Sequence, residues 1–226
     1  MKIIHKYLAQ KQAKFAQHPF FERIAEDRSL DELVPFAQRM TFWIQSFQDL
    51  LRLNEARVIN PELRKIARCH RVEDEGHNEW FISDLSTMNS REPGIRSLYS
   101  SEHSPIRDAS YLLISEVFRA RNDYERIVLL LILESAAYIF FERIADFSER
   151  AGYSGVLKYF SNHHFSAEQS HQSLDEQSIE AYIDSIQLTQ DEKKGIFEMI
   201  DRAYNAFTVM FDNFETTFER RVKVLV

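Results

Sequence analysis

The chain has 226 residues, of which 44% are hydrophobic and 28% charged, and it carries 18 Phe against 5 Gly and 5 Pro at a formal charge of −7. That length suits one domain with a sizeable core, and so few helix breakers point to long helices joined by few loops. The charges are well mixed, with no Lys/Arg block and no basic patch interleaved with aromatics, which argues against nucleic acid as a partner.

In chain order, the spacing of apolar residues predicts a first helix over 3–17, stopped by His18-Pro19, and a resumed pattern over 20–26. Ser29 and Glu32 form a capping box that starts the next helix, which runs to about Leu53 with Phe36, Met40, Trp43, Ile44, Phe47, Leu50 and Leu51 at helical spacing. Asn60-Pro61 marks another start, and that helix is expected to continue unbroken to about Met88. Residues 89–105 read as a loop. Helices follow over 106–119, 123–151, 155–173 and 177–186. The last begins at the Thr189/Glu192 capping box and runs towards Arg221. No strand-like alternation occurs, so the expected fold class is all-α: one domain over 1–226, built as a bundle of six to eight helices.

The longest apolar stretch, residues 127–141, is short for a bilayer and has Glu134 near its middle, so it reads as a core helix and no membrane segment is expected. The N-terminal MKIIHKYLAQKQAKF has no continuous apolar region of the kind that signal peptides use. The single cysteine, Cys69, excludes an internal disulfide framework; it fits the cytoplasm and reads as an inert buried thiol.

Three groups of residues carry chemistry. His164, Glu168 and His171 are spaced i, i+4, i+7, which places two imidazoles and a carboxylate on one helix face. His70, Glu73, Asp74 and His77 repeat that pattern upstream, and Asp74-x-x-His77 and Glu168-x-x-His171 share the carboxylate-x-x-His spacing of helix-bundle metal sites. Glu134 is the lone acid of IVLLLILESAAYIFF; burying it unpaired would cost several kcal/mol, so it requires a partner: a metal, an arginine or a histidine. Each group taken alone also reads as a solvated polar stripe or a structural ion pair. Together, carboxylates and imidazoles without thiolates point to non-haem iron, or manganese, rather than structural zinc.

The order His77, then Glu134, then His164-x3-Glu168-x2-His171, with HPFFERI, FWIQSFQDLLRLNEARV and GHNEWFISDL around it, resembles the haem-oxygenase-like di-iron oxidases and oxygenases. These "iron-containing redox enzymes" lie within the wider TenA/PqqC/CADD-like superfamily. The resemblance spans most of the chain and implies a haem-oxygenase-like helical bundle, bound iron (one or two ions) and, by analogy, a homodimer. It makes His77 the first-helix imidazole, Glu134 the middle-helix carboxylate, and His164, Glu168 and His171 the third-helix set. The chain departs from the family two helical turns before His77, where a glutamate is usual and His70 stands here. Either His70 replaces that ligand, or Glu73 or Asp74 serves instead.

The function implied is oxidation of a small, partly apolar organic molecule with O₂, and Trp80, Phe81, Phe140, Phe141 and Phe165 are candidates for an apolar pocket as well as for plain core. Two other readings stay open on the same fold: a small-ligand-binding protein without catalysis, and a metal-free enzyme of the TenA/PqqC type.

Overall fold

The computed structural model describes residues 2–26, 30–153, 155–170 and 188–222, with the backbone alone described at 2, 30–33, 168–170 and 219–222. The expected cap at Ser29 and the expected helix over 177–186 lie outside the described residues.

Ten α-helices and no strand are found among the described residues, more helices than the six to eight expected. They are α1 Lys2–Phe15, α2 Pro19–Glu26, α3 Leu30–Arg57, α4 Pro61–Glu73, α5 His77–Thr87, α6 Ile95–Leu98, α7 Ser104–Arg119, α8 Asp123–Arg150, α9 Asn162–Ser170 and α10 Gln190–Val222. The long helices α3, α8 and α10 pack on one another, and the shorter ones lie against them. No helix among the described residues is long and apolar enough to cross a membrane.

Most starts follow the side-chain chemistry that predicts them. Asn60 accepts the backbone N–H of Glu62 at 2.9 Å and of Leu63 at 3.2 Å, which starts α4 with Pro61 in its first turn. The Thr189/Glu192 box forms in both directions: the Thr189 N–H donates to Glu192 Oε2 at 2.8 Å, and the Glu192 N–H donates to Thr189 Oγ1 at 3.2 Å. His18 caps α2. Its Nδ1 accepts the Phe20 N–H, and its Nε2–H is left to donate to Asp212 at 3.2 Å.

The expected loop over 89–105 contains the short α6, and two of the expected helices differ. The helix expected to run unbroken from 61 to 88 stops at Glu73, and α5 starts afresh at His77. Between them Gly76 adopts φ +92°, a left-handed conformation that side chains disfavour, so the chain turns there. The helix expected over 155–173 starts only at Asn162, for a reason given below.

The phenylalanines explain much of the packing. Phe20 is fully buried, with the rings of Phe21, Phe36, Phe211, Phe214 and Phe218 at centroid distances of 5.1 to 6.0 Å. Three helices, α2, α3 and α10, therefore meet in one aromatic cluster, and each tilted or edge-on pair adds to the area term. Buried acids clamp the rest. Glu116 of α7 takes both guanidinium arms of Arg202 on α10 at 2.7 Å, and Glu55 of α3 takes Arg68 and Arg71 of α4 at 2.8 and 2.6 Å.

Replacing Phe20 with Ala is expected to lower the unfolding free energy by about 3–5 kcal/mol in urea denaturation. Ile59→Ala, at a side chain that is 85% exposed, is expected to change it by less than about 0.5 kcal/mol.

Candidate metal centre

Glu134 projects from the most apolar helix, α8, and its partner is a histidine. His70 Nε2 lies 2.5 Å from Glu134 Oε1 and 3.4 Å from Asp74 Oδ2. Both residues come from the end of α4, which packs on α8. His70 is completely buried and Asp74 nearly so. Burial by itself pulls the His70 pKa down, but the charges of Glu134 and Asp74 and the hydrogen bond to Glu134 outweigh it and raise the pKa to about 9.

The turn at Gly76 then sets the next donor. It brings His77, the first residue of α5, back against Asp74, with His77 Nδ1 3.2 Å from Asp74 Oδ1. On its other side His77 Nδ1 lies 3.1 Å from His164 Nε2. The break in the expected helix thus keeps His70, Asp74 and His77 together, although they no longer share one straight helix face.

His164 is placed from a distance. Asp84, buried on α5, accepts the backbone N–H of Lys158 at 2.8 Å and of Phe160 at 3.0 Å. Burial pushes the Asp84 carboxyl up, against the opposing pull of the N–H groups of residues 158, 160 and 159. These bonds hold the 158–160 turn and keep it out of the helix, so α9 begins at Asn162. The turn in turn presents the Tyr159 carbonyl to His164 Nδ1 at 3.0 Å. A carbonyl only accepts, so Nδ1 carries the hydrogen, and neutral His164 has its lone pair on Nε2, facing His77. Asp84 was not among the candidate residues. The signal for it is its position seven residues after His77, on the same face of α5.

The other sequence candidates fall as follows. Glu73 Oε1 is 3.9 Å from the Cys69 sulfur, and Glu73 is not among the residues that line the cleft described below. Cys69 is exposed, not buried as expected, and desolvation together with the Glu73 charge raises its thiol pKa, which disfavours the nucleophilic thiolate. The side chain of Glu168 and all of His171 lie outside the described residues.

Asp74, His77, Glu134 and His164 line a cleft with a volume of about 70 Å³. Gln48 and Asn78 sit beside them. The remaining wall is apolar: Met40, Trp43 and Phe47 of α3, Phe140 and Phe141 of α8, and Phe207, Met210 and Phe214 of α10 contribute to it. Of the five aromatics expected there, only Phe140 and Phe141 line it. Phe81 packs in the core on Tyr159 and Phe160, Phe165 meets Tyr138, and Trp80 lies outside the cleft with its ring 4.5 Å from that of His77. The contributions of α3 and α10 were missed because a helical stripe looks the same whether it packs in a core or walls a cavity.

The donor set suits a divalent cation. Ligands about 2.1 Å from one ion at right angles stand about 3 Å apart, and the contacts His77–His164 and Asp74–His77 are 3.1 and 3.2 Å. His70, Asp74 and Glu134 also offer ligand atoms all within 4.8 Å of one another. No family model matches this chain, and no curated protein matches it either.

In the metal-free protein His70 stabilises the fold in its charged form, because its folded pKa of about 9 exceeds the ordinary 6.5. The stabilisation is complete below pH 6.5 and is lost as the pH rises through about 9. Thermal unfolding in the presence of a chelator is expected to show wild type losing stability over that interval while His70→Gln does not.

Proposed function

We propose that this chain is a non-haem metal-dependent oxidase or oxygenase on a haem-oxygenase-like bundle, using iron and O₂ to oxidise a small, slender, partly apolar molecule. The observation that carries the reading is the fixed tautomer of His164. Its Nδ1–H is committed to the Tyr159 carbonyl, so its Nε2 lone pair is aimed at the polar end of the cleft. Metal-binding histidines are oriented in this way by a carbonyl or carboxylate on the second ring nitrogen.

His77, His164 and Asp74, with Glu134 beside them, would hold the ion; no thiolate is among them, which favours iron or manganese over structural zinc. The bound ion would supply Lewis acidity and one-electron chemistry. The chain supplies the rest. Trp43, Phe47 and Phe207 exclude water from the apolar arm of the cleft and seat the substrate body there. Gln48 and Asn78 offer amide donors and acceptors to a polar group near the donor set.

A second reading rests on the bond between His70 and Glu134. It neutralises the half-buried acid with no ion present, as a protein that only binds a small apolar ligand would require.

The two readings separate on loading with iron(II) under anaerobic conditions, desalting, and admitting O₂. The oxidase reading expects retained iron and O₂ uptake above that of the iron-free protein, with both lost in a folded His164→Ala variant. Wild type that keeps no iron yet binds apolar probes in the cleft would favour the binding protein.

A further inference from the structure

We infer that the cleft takes an amine in its cationic form, with the ammonium head at Glu134 and Gln48 and an unbranched apolar body against Trp43, Phe47 and Phe207. This rests on the reading of the cleft as the substrate site, which the oxidase and the binding protein share, and it names the class of molecule that enters.

Two side chains in the cleft have oxygens left to offer. His70 holds one oxygen of Glu134, with its Nε2 2.5 Å from Oε1. Glu134 Oε2 has no partner among the described residues, and the side chain lines the cleft and is 23% exposed. Gln48 is oriented by the main chain. Its Nε2 donates to the Asp74 carbonyl at 3.0 Å. A carbonyl only accepts, so the amide cannot be reversed, and Oε1 remains as an acceptor with no partner among the described residues. Asp74 connects the two: its carbonyl holds Gln48, and its Oδ2 lies 3.4 Å from the His70 nitrogen that holds Glu134. A carboxylate oxygen and an amide oxygen beside an apolar wall match a head that is positively charged and carries several hydrogens, and an ammonium carries three.

An anionic head finds no such match. No lysine or arginine lines the cleft among the described residues. The sequence from 159 to 192 contains neither residue, so the stretch that follows α9 brings none. A carboxylate or phosphate would therefore set its charge against Glu134 with no lysine or arginine to offset it.

The body of the ligand is set by the wall. The Trp43 ring lies 5.3 Å from Phe47 and 6.0 Å from Phe207. Ala136 and Ala137 of α8 line the same cleft and leave space where a larger side chain would fill it. A volume of about 70 Å³ suits an unbranched chain rather than a fused ring system.

The test uses the full chain with a chelator present, so that no head binds through an ion. Three six-carbon probes are titrated calorimetrically at pH 7: hexylamine, which is cationic there, hexanol and hexanoate. Hexylamine is expected to bind at least about tenfold more tightly than hexanoate, with hexanol between them. Glu134→Gln is expected to weaken hexylamine binding about tenfold and to change hexanol binding by less than about twofold. Because that substitution also alters the partner of His70, Gln48→Met is the second variant, expected to weaken hexylamine about threefold, and circular dichroism checks that both are folded. Hexanoate bound as tightly as hexylamine, no binding of any probe, or hexylamine binding unchanged in both folded variants would overturn the amine site. Iron(II) retention is measured separately. Retained iron without a preference for hexylamine would overturn the amine site and leave the metal-dependent reading intact; the preference without retained iron would support the amine site and overturn the oxidase.

Discussion

Glu134 stands half-buried in the apolar stretch of α8, and the hydrogen bond from the fully buried His70 meets its charge there. Much of the surrounding architecture follows from that bond. The end of α4 must lie against the middle of α8 for His70 to reach. Once it does, Asp74 is carried into the same buried space, and a second carboxylate needs partners of its own. It finds them in His70 and in His77, which stays beside Asp74 across the turn at Gly76. The polar cluster is a sequence of obligations, each created by the previous one and each met by a residue from a different turn or helix.

A second anchor works from the opposite side. Asp84 binds the backbone of the 158–160 turn rather than any side chain. The position of His164 is thus set by α5, the helix that also carries His77. The two imidazoles that face each other are fixed to a common element, one by the chain itself and one through Asp84 and the Tyr159 carbonyl.

The all-helical class was legible because helical period, few breakers and capping boxes agreed with one another, and the Thr189/Glu192 box formed as read. That Glu134 needs a partner was legible because an acid inside an apolar run is a conflict that only a partner resolves, and the partner is His70. The break at Gly76 was less legible: one glycine in a helical pattern is often tolerated, and only its left-handed conformation reveals the turn. The late start of α9 was not legible at all, since it depends on Asp84, more than seventy residues upstream. The role of Trp43, Phe47, Phe207 and Met210 was hidden for a related reason. Their spacing says that they face inward, but whether inward means a packed core or the wall of a cleft is decided by how α3 and α10 pack.

The chain contains two tryptophans, and both are at this site. Trp43 forms part of the cleft wall, and the Trp80 ring lies almost parallel to that of His77, tilted by 31°. All of the protein's indole emission therefore originates within one or two side chains of the cluster. The light the protein gives off under ultraviolet excitation is in effect a signal from its cleft, with one lamp inside and the other behind a histidine.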